Sequence, residues 1–215
     1  MGASRLREIE NLPQFAEKQW LNRIAHCRDN AAVLGFLVER AVLGVFIQQG
    51  SVFAGTEFDK PLLQQKFMGR IPELPPANTR PVIYIPTMYN YEGVDAILAT
   101  RPKVKKAEES QAIVVGIQIT IAKSHSESEA AFMGAWEAWH EMMGCDKTEF
   151  RFLWVVKDLA PDWETSWTEI PQKCVTLRGR QRVVHPAYKR RYVTIMDFHD
   201  GVGEKLRTAC MGYSD

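Results

Sequence analysis

Residues 114–125 read VVGIQITIAKSH, and the fold turns on how this stretch is read. Ile117, Ile119 and Ile121 fall on one side of a period-two pattern, while Gly116, Gln118 and Thr120 fall on the other. Alternation built on β-branched residues is the signature of a strand. The surroundings of Gln118 and Thr120 are too apolar for a solvated surface strand. The chain therefore carries a core-like strand that aims an amide and a hydroxyl the same way and then runs into Lys123 and His125.

Downstream the period changes. From Ser126 to Met143, Ala130, Phe132, Met133, Trp136, Trp139 and Met143 give the apolar side of a helix that Gly144 ends, and FRFLWVV at 150–156 returns to strand. Upstream, VIYIP at 82–86 and GVDAILA at 93–99 read as two short strands joined around Asn90 and Gly93, with RPKVKKAEES as a charged connector. Further upstream, DNAAVLGFLVERAVLGVFIQQG is a buried helix, with Asp29 or Asn30 as its N-cap and Gly50 at C′. LLQQKFM follows without an assigned element, and the proline-rich IPELPPANTRP reads as a connection. The resulting order of helix, three strands, helix and strand predicts an α/β fold with a mixed sheet.

Three regions follow from this reading. Residues 1–28 are an N-terminal helical extension, divided at Pro13; 29–160 are the core; 161–215 are a basic C-terminal extension packed on it. That extension holds a strand near Lys173–Leu177, a basic bend, a strand in RYVTIMDF and a short terminal helix. The opening MGAS suggests one domain taken from a longer protein.

Lysine plus arginine (27) nearly balance aspartate plus glutamate (26) over 215 residues, so net charge singles out no polyanionic partner. The distribution is uneven. Glu127–Glu169 holds ten acids and three bases, whereas Lys173–Arg191 holds seven bases and no acid: Lys173, Arg178, Arg180, Arg182, Lys189, Arg190 and Arg191. Such a block is either a footprint for a polyanion or a solvated basic edge. The four cysteines, Cys27, Cys145, Cys174 and Cys210, form no C-x-x-C pair, which argues against a zinc module and for a reducing compartment. The most apolar stretch, Ala31–Ile47, is interrupted by Glu39 and Arg40 and is too short to span a bilayer.

Four polar positions fit a plain core poorly. Glu39 lies mid-helix among Gly35, Phe36, Val42 and Leu43; it either needs a partner or cation, or occupies one wet stripe with Arg40. Asp95 opens a strand, as a metal-facing carboxylate or as a strand-start residue after Gly93. Gln118 and Thr120 either bind something or bond to each other, to a helix end or to water. Taken in order, these residues form a series of oxygen groups around one sheet end, with the Ile119 carbonyl able to point the same way. Magnesium takes such hard ligands, often one or two carboxylates plus waters.

This ordered set resembles the PD-(D/E)XK nuclease superfamily, whose core order is also α-β-β-β-α-β. More narrowly, GFLVERAVLGVF, YNYEGVDAILAT, VVGIQITIAKSH and FRFLWVVKD resemble the nuclease domains of Crinkler effectors and the related retrotransposon hot spot proteins, over about Val33 to Asp158. The resemblance implies a restriction-endonuclease-like core and a metal-dependent DNA endonuclease acting as an effector or toxin in a nucleus, with magnesium or manganese as cofactor. It implies Glu39, Asp95 and Gln118 as metal-facing residues and puts Thr120 in the slot of the superfamily lysine. Thr120 carries no positive charge, so Lys123 or His125 would supply that role from the following loop. The basic block would then track the phosphate backbone.

The missing lysine also supports an alternative, a catalytically inactive domain of this fold that binds DNA or a host protein. A third reading makes Trp136, Trp139, Trp154, Trp163 and Trp167 a partner surface. A homodimer is compatible with the resemblance, a membrane partner is not expected, and DNA and RNA are not separated by sequence.

Overall fold

The computed structural model describes residues 30–49, 62–69, 71, 81–88, 91–100, 111–121, 127–177 and 181–195, together with residues 22, 26, 204, 205 and 208. The helix α1 spans Ala31–Gln49; the strands β1 (Leu63–Phe67) and β2 (Val82–Pro86) precede a short 3-10 turn at Tyr91–Gly93; β3 (Ala96–Thr100) and β4 (Gln111–Thr120) follow. Two helices, α2 (Ser128–Gly134) and α3 (Trp136–Met143), lead to β5 (Lys147–Val156), then β6 (Thr168–Ile170), β7 (Lys173–Leu177), β8 (Gln181–His185) and β9 (Tyr188–Thr194).

The predicted helix caps are formed where the chain is described. Asn30 Oδ1 accepts the Val33 N–H at 3.2 Å, and Gly144 ends α3 in the left-handed region at φ 55°. The helix expected over 126–143 is two helices, broken at Ala135 directly after Gly134, a weak helix former. Asp29, Gly50 and the N-terminal extension, apart from residues 22 and 26, lie outside the described residues.

Among the described residues, seven strands form one mixed sheet in the order β1-β2-β3-β4-β5-β9-β6, and β7 and β8 form a separate two-stranded sheet. Pairing is parallel for β1–β2, β4–β5 and β5–β9, and antiparallel for β2–β3, β3–β4 and β6–β9. Hence β1, β2, β4, β5 and β9 point one way and their carboxyl ends share one edge of the sheet. The mixed α/β architecture predicted from sequence is present. β1 was given no element by the sequence reading; β6 and β8 were missed, β8 lying in what read as a basic bend.

The alternation around Gln118 holds. Val115, Ile117 and Ile119 pack with α1 in one core; Ala112 and Val114 pack with Phe132, Met133, Trp139 and Met143 of α2 and α3 in the other. Gly116 is on the second face, and its size matters. A Cβ there would lie 2.7 Å from Phe132 Cδ1, against a ring that is itself buried. Gly116→Ala is therefore expected to destabilise the protein by about 1–3 kcal/mol, measured by urea unfolding, because the ring has little room to move.

The wet stripe considered for α1 does not exist: Glu39 is 7% exposed and Arg40 is 0% exposed. They form an ion pair, Arg40 Nη2 to Glu39 Oε1 at 2.6 Å, and the guanidinium also lies over the Phe36 ring. Two buried charges on consecutive helical residues are tolerable because each lowers the cost of the other.

Candidate functional site

The carboxyl ends of the co-directional strands are where ligands collect in open α/β sheets. At this edge β3 starts, because it runs antiparallel to its neighbours, and Asp95 immediately precedes it. Gly93 brings the chain there with φ 67°, and the turn passes so close to α2 that a Cβ at Gly93 would sit 2.5 Å from Ser128 Cα. The Asp95 N–H donates to the Ile117 carbonyl at 2.9 Å. Its side chain then continues the ladder: Asp95 Oδ2 accepts the Ile119 N–H at 2.8 Å and the Gln118 Nε2–H at 2.9 Å.

Asp95 and Gln118 are thus brought together, as the sequence reading expected, and they bond directly. Both are partly buried. The Gln118 amide nitrogen is also 3.4 Å from the Ile119 carbonyl oxygen, so amide, carboxylate and carbonyl crowd into one small volume. Thr120 is buried at the end of β4 and shares the α2/α3 face with Gln118 by strand alternation.

Glu39 is placed differently. It belongs to α1, which covers the Ile117/Ile119 face, so the sheet separates its helix from the Gln118/Thr120 face, and its carboxylate is engaged by Arg40. Among the described residues, no three histidine, cysteine, aspartate or glutamate side chains gather into a metal-holding group. Lys123 and His125 lie outside the described residues.

Strand register extends the site in a way the sequence did not reveal. Gln118 is level with Trp154 of β5, and Trp154 with Tyr192 of β9. The Trp154 and Tyr192 rings are nearly parallel at 6.2 Å, and Tyr192 stacks on Trp163 at 4.6 Å. Glu129 of α2 fixes this row: its Oε2 accepts the Trp154 indole N–H at 3.1 Å, and its Oε1 accepts the Tyr188 hydroxyl and faces Arg190. Burial, reinforced by the bond to Glu129, pushes the Tyr188 hydroxyl well above its usual range. Alternation put Trp154 on this face, but pairing across β9 required the structure. Trp139 and Trp154 are core residues, and Trp136, Trp163 and Trp167 are partly buried, so the five tryptophans do not form one exposed surface.

The basic block divides. On β9, alternation puts Arg190 on the α2/α3 face and Lys189 and Arg191 on the opposite one. Lys189 pairs with Glu149 at 3.1 Å, Arg190 lies 3.6 Å from Glu129, and Arg191 Nε donates to the Thr165 carbonyl at 2.7 Å. Burial raises the Glu149 carboxyl, but its bonds to Arg151 and Lys189 outweigh this and hold it below its ordinary range. Lys173 is exposed on β7, Arg182 belongs to β8, and Arg178 and Arg180 lie outside the described residues. The seven bases therefore do not form one continuous stripe along β9.

Comparison with known proteins yields no match to the chain among family models, curated proteins or solved structures.

Proposed function

We propose that the protein is a metal-dependent DNA endonuclease-like effector domain with a restriction-endonuclease-like core, its phosphodiester site built on Asp95 and Gln118. The observation that carries this reading is the junction at the start of β3, where Asp95 Oδ2 holds both the Gln118 amide and the Ile119 N–H at the carboxyl edge of the sheet. The order of α1, β2, β3, β4, the α2–α3 pair and β5 supports the same reading.

The donor set suits a hard cation with a single protein carboxylate: Asp95, the Gln118 amide oxygen after rotation of the amide, and the Ile119 carbonyl, with water completing the shell. A magnesium ion bound there would polarise a phosphoryl oxygen and lower the pKa of a coordinated water. The chain's own contribution is to orient the Asp95 carboxylate through the Ile119 N–H and to keep Gln118 beside it. Thr120 would donate a hydrogen bond to a phosphate oxygen from the same face, and Lys123 or His125 would supply positive charge. Glu39 is better explained as the partner of Arg40 than as a ligand.

A second reading, a nuclease-fold domain that binds DNA or a host protein without cutting, draws on one observation. The Asp95 carboxylate already serves as a rung of the β3–β4 ladder, a structural role that would persist after catalysis was lost.

Cleavage of plasmid and linear DNA in magnesium, manganese or EDTA separates the two. The nuclease reading expects cutting in either metal, none in EDTA, and loss in a folded Gln118→Ala variant. Absence of cutting by folded wild type in both metals would favour the binding domain.

A further inference from the structure

The β7–β8 hairpin is a sheet of its own and packs against α2. One bond that holds it is specific: the Trp136 indole N–H donates to the Val184 carbonyl at 2.9 Å. The next residue, His185, is 1% exposed, and neither ring nitrogen has a hydrogen-bond partner. A buried neutral imidazole without partners is costly, and a buried imidazolium without partners is more so.

The charged groups acting on the ring come from both elements packed there. Lys173 is its cross-strand neighbour on β7 and repels a positive ring; Glu129 on α2 attracts one. Glu129, however, is already engaged by Trp154, Tyr188 and Arg190. Burial first, and Lys173 second, hold the His185 ring below its ordinary pKa despite Glu129.

We propose that the hairpin is a separately docked arm whose seating on α2 is controlled by His185: docked while the ring is neutral, released when it takes a proton. The sign follows from linkage. A histidine whose pKa is depressed in the docked state binds fewer protons there than when released. Docking is therefore at full strength above the ordinary histidine pKa of about 6.5 and weakens progressively as the pH falls below it. The inference stands apart from the nuclease reading, since docking can be followed without nucleic acid.

The Trp136 indole N–H reports docking directly in NMR hydrogen exchange. Its protection factor is expected to fall by up to about tenfold between about pH 7.5 and about pH 5.5, while amides of β4 and β5 keep theirs. His185→Phe should abolish the pH dependence. Lys173→Ala, a change at an exposed residue, removes the repulsive neighbour, brings the docked ring closer to its ordinary pKa and should therefore make the fall in protection smaller. Unchanged protection in wild type, loss shared equally by the β4 and β5 amides, or a fall undiminished in Lys173→Ala would each overturn the proposal. The lysine variant decides the matter even if His185→Phe does not fold.

Discussion

Asp95→Asn is expected to fold and yet to lose metal-dependent DNA cleavage by about 100-fold or more, the usual consequence of removing one electrostatic contributor from a reacting site. Asparagine is the informative substitution because of what it keeps. Its amide oxygen can still accept the Ile119 N–H, and Gln118 can rotate its own amide to bond the new NH2 group. The ladder between β3 and β4 then survives, and what disappears is the negative charge. Alanine would confuse the two effects: it leaves the Ile119 N–H and the Gln118 amide, which Asp95 satisfies at 2.8 and 2.9 Å, without that acceptor. A loss of about 1–3 kcal/mol of stability would follow from that alone. Cleavage rates and urea midpoints measured side by side for both variants separate charge from architecture. Equal cleavage by wild type and a folded Asp95→Asn variant would remove Asp95 from the chemistry.

The largest stability effect is expected from Arg40→Met, at about 3–5 kcal/mol, because it removes the guanidinium that pairs with the buried Glu39 carboxylate. The pair is closed at 2.6 Å, with Arg40 fully buried and Glu39 nearly so. Methionine fills much of the arginine volume, so most of the loss reports on charge rather than a cavity. Adding Glu39→Gln should restore a substantial part of the stability by removing the buried charge, and urea denaturation of the single and double variants measures the coupling. If Arg40→Met costs less than about 1 kcal/mol, the pair is not the device that makes Glu39 tolerable in α1.

The central strand was legible because both of its faces are constrained: isoleucines meet α1, while Gly116 leaves room for Phe132 and Gln118 reaches Asp95. Continuous apolar runs marked α1, β2 and β5 instead. β1 was not legible because LQQKF has polar residues at three consecutive positions and no alternation to read. β8 was hidden for a related reason, since QRVVH mixes charge with two adjacent valines, and its identity rests on pairing with β7. Within the candidate site, Asp95 and Gln118 could be joined from sequence because adjacent strands leave few places for them. Glu39 could not be positioned that way. Helical order says which residues share a turn but not which sheet face the helix covers, and the neighbouring Arg40 offered a local partner that sequence alone read as solvent-facing. The aromatic row from Trp154 to Trp163 depends on a parallel pairing between strands more than thirty residues apart, which no local pattern encodes.

The central claim is that Asp95 and Gln118 form a cation site, and titration of the labelled protein with manganese tests it most directly. Paramagnetic broadening falls off steeply with distance, so it reads location rather than affinity alone. The account predicts that the Gln118 side-chain amide and the Ile119 backbone N–H broaden first, that magnesium competes the effect away, and that Asp95→Asn abolishes it. Broadening that begins at other residues, or that is unchanged in Asp95→Asn, would contradict it.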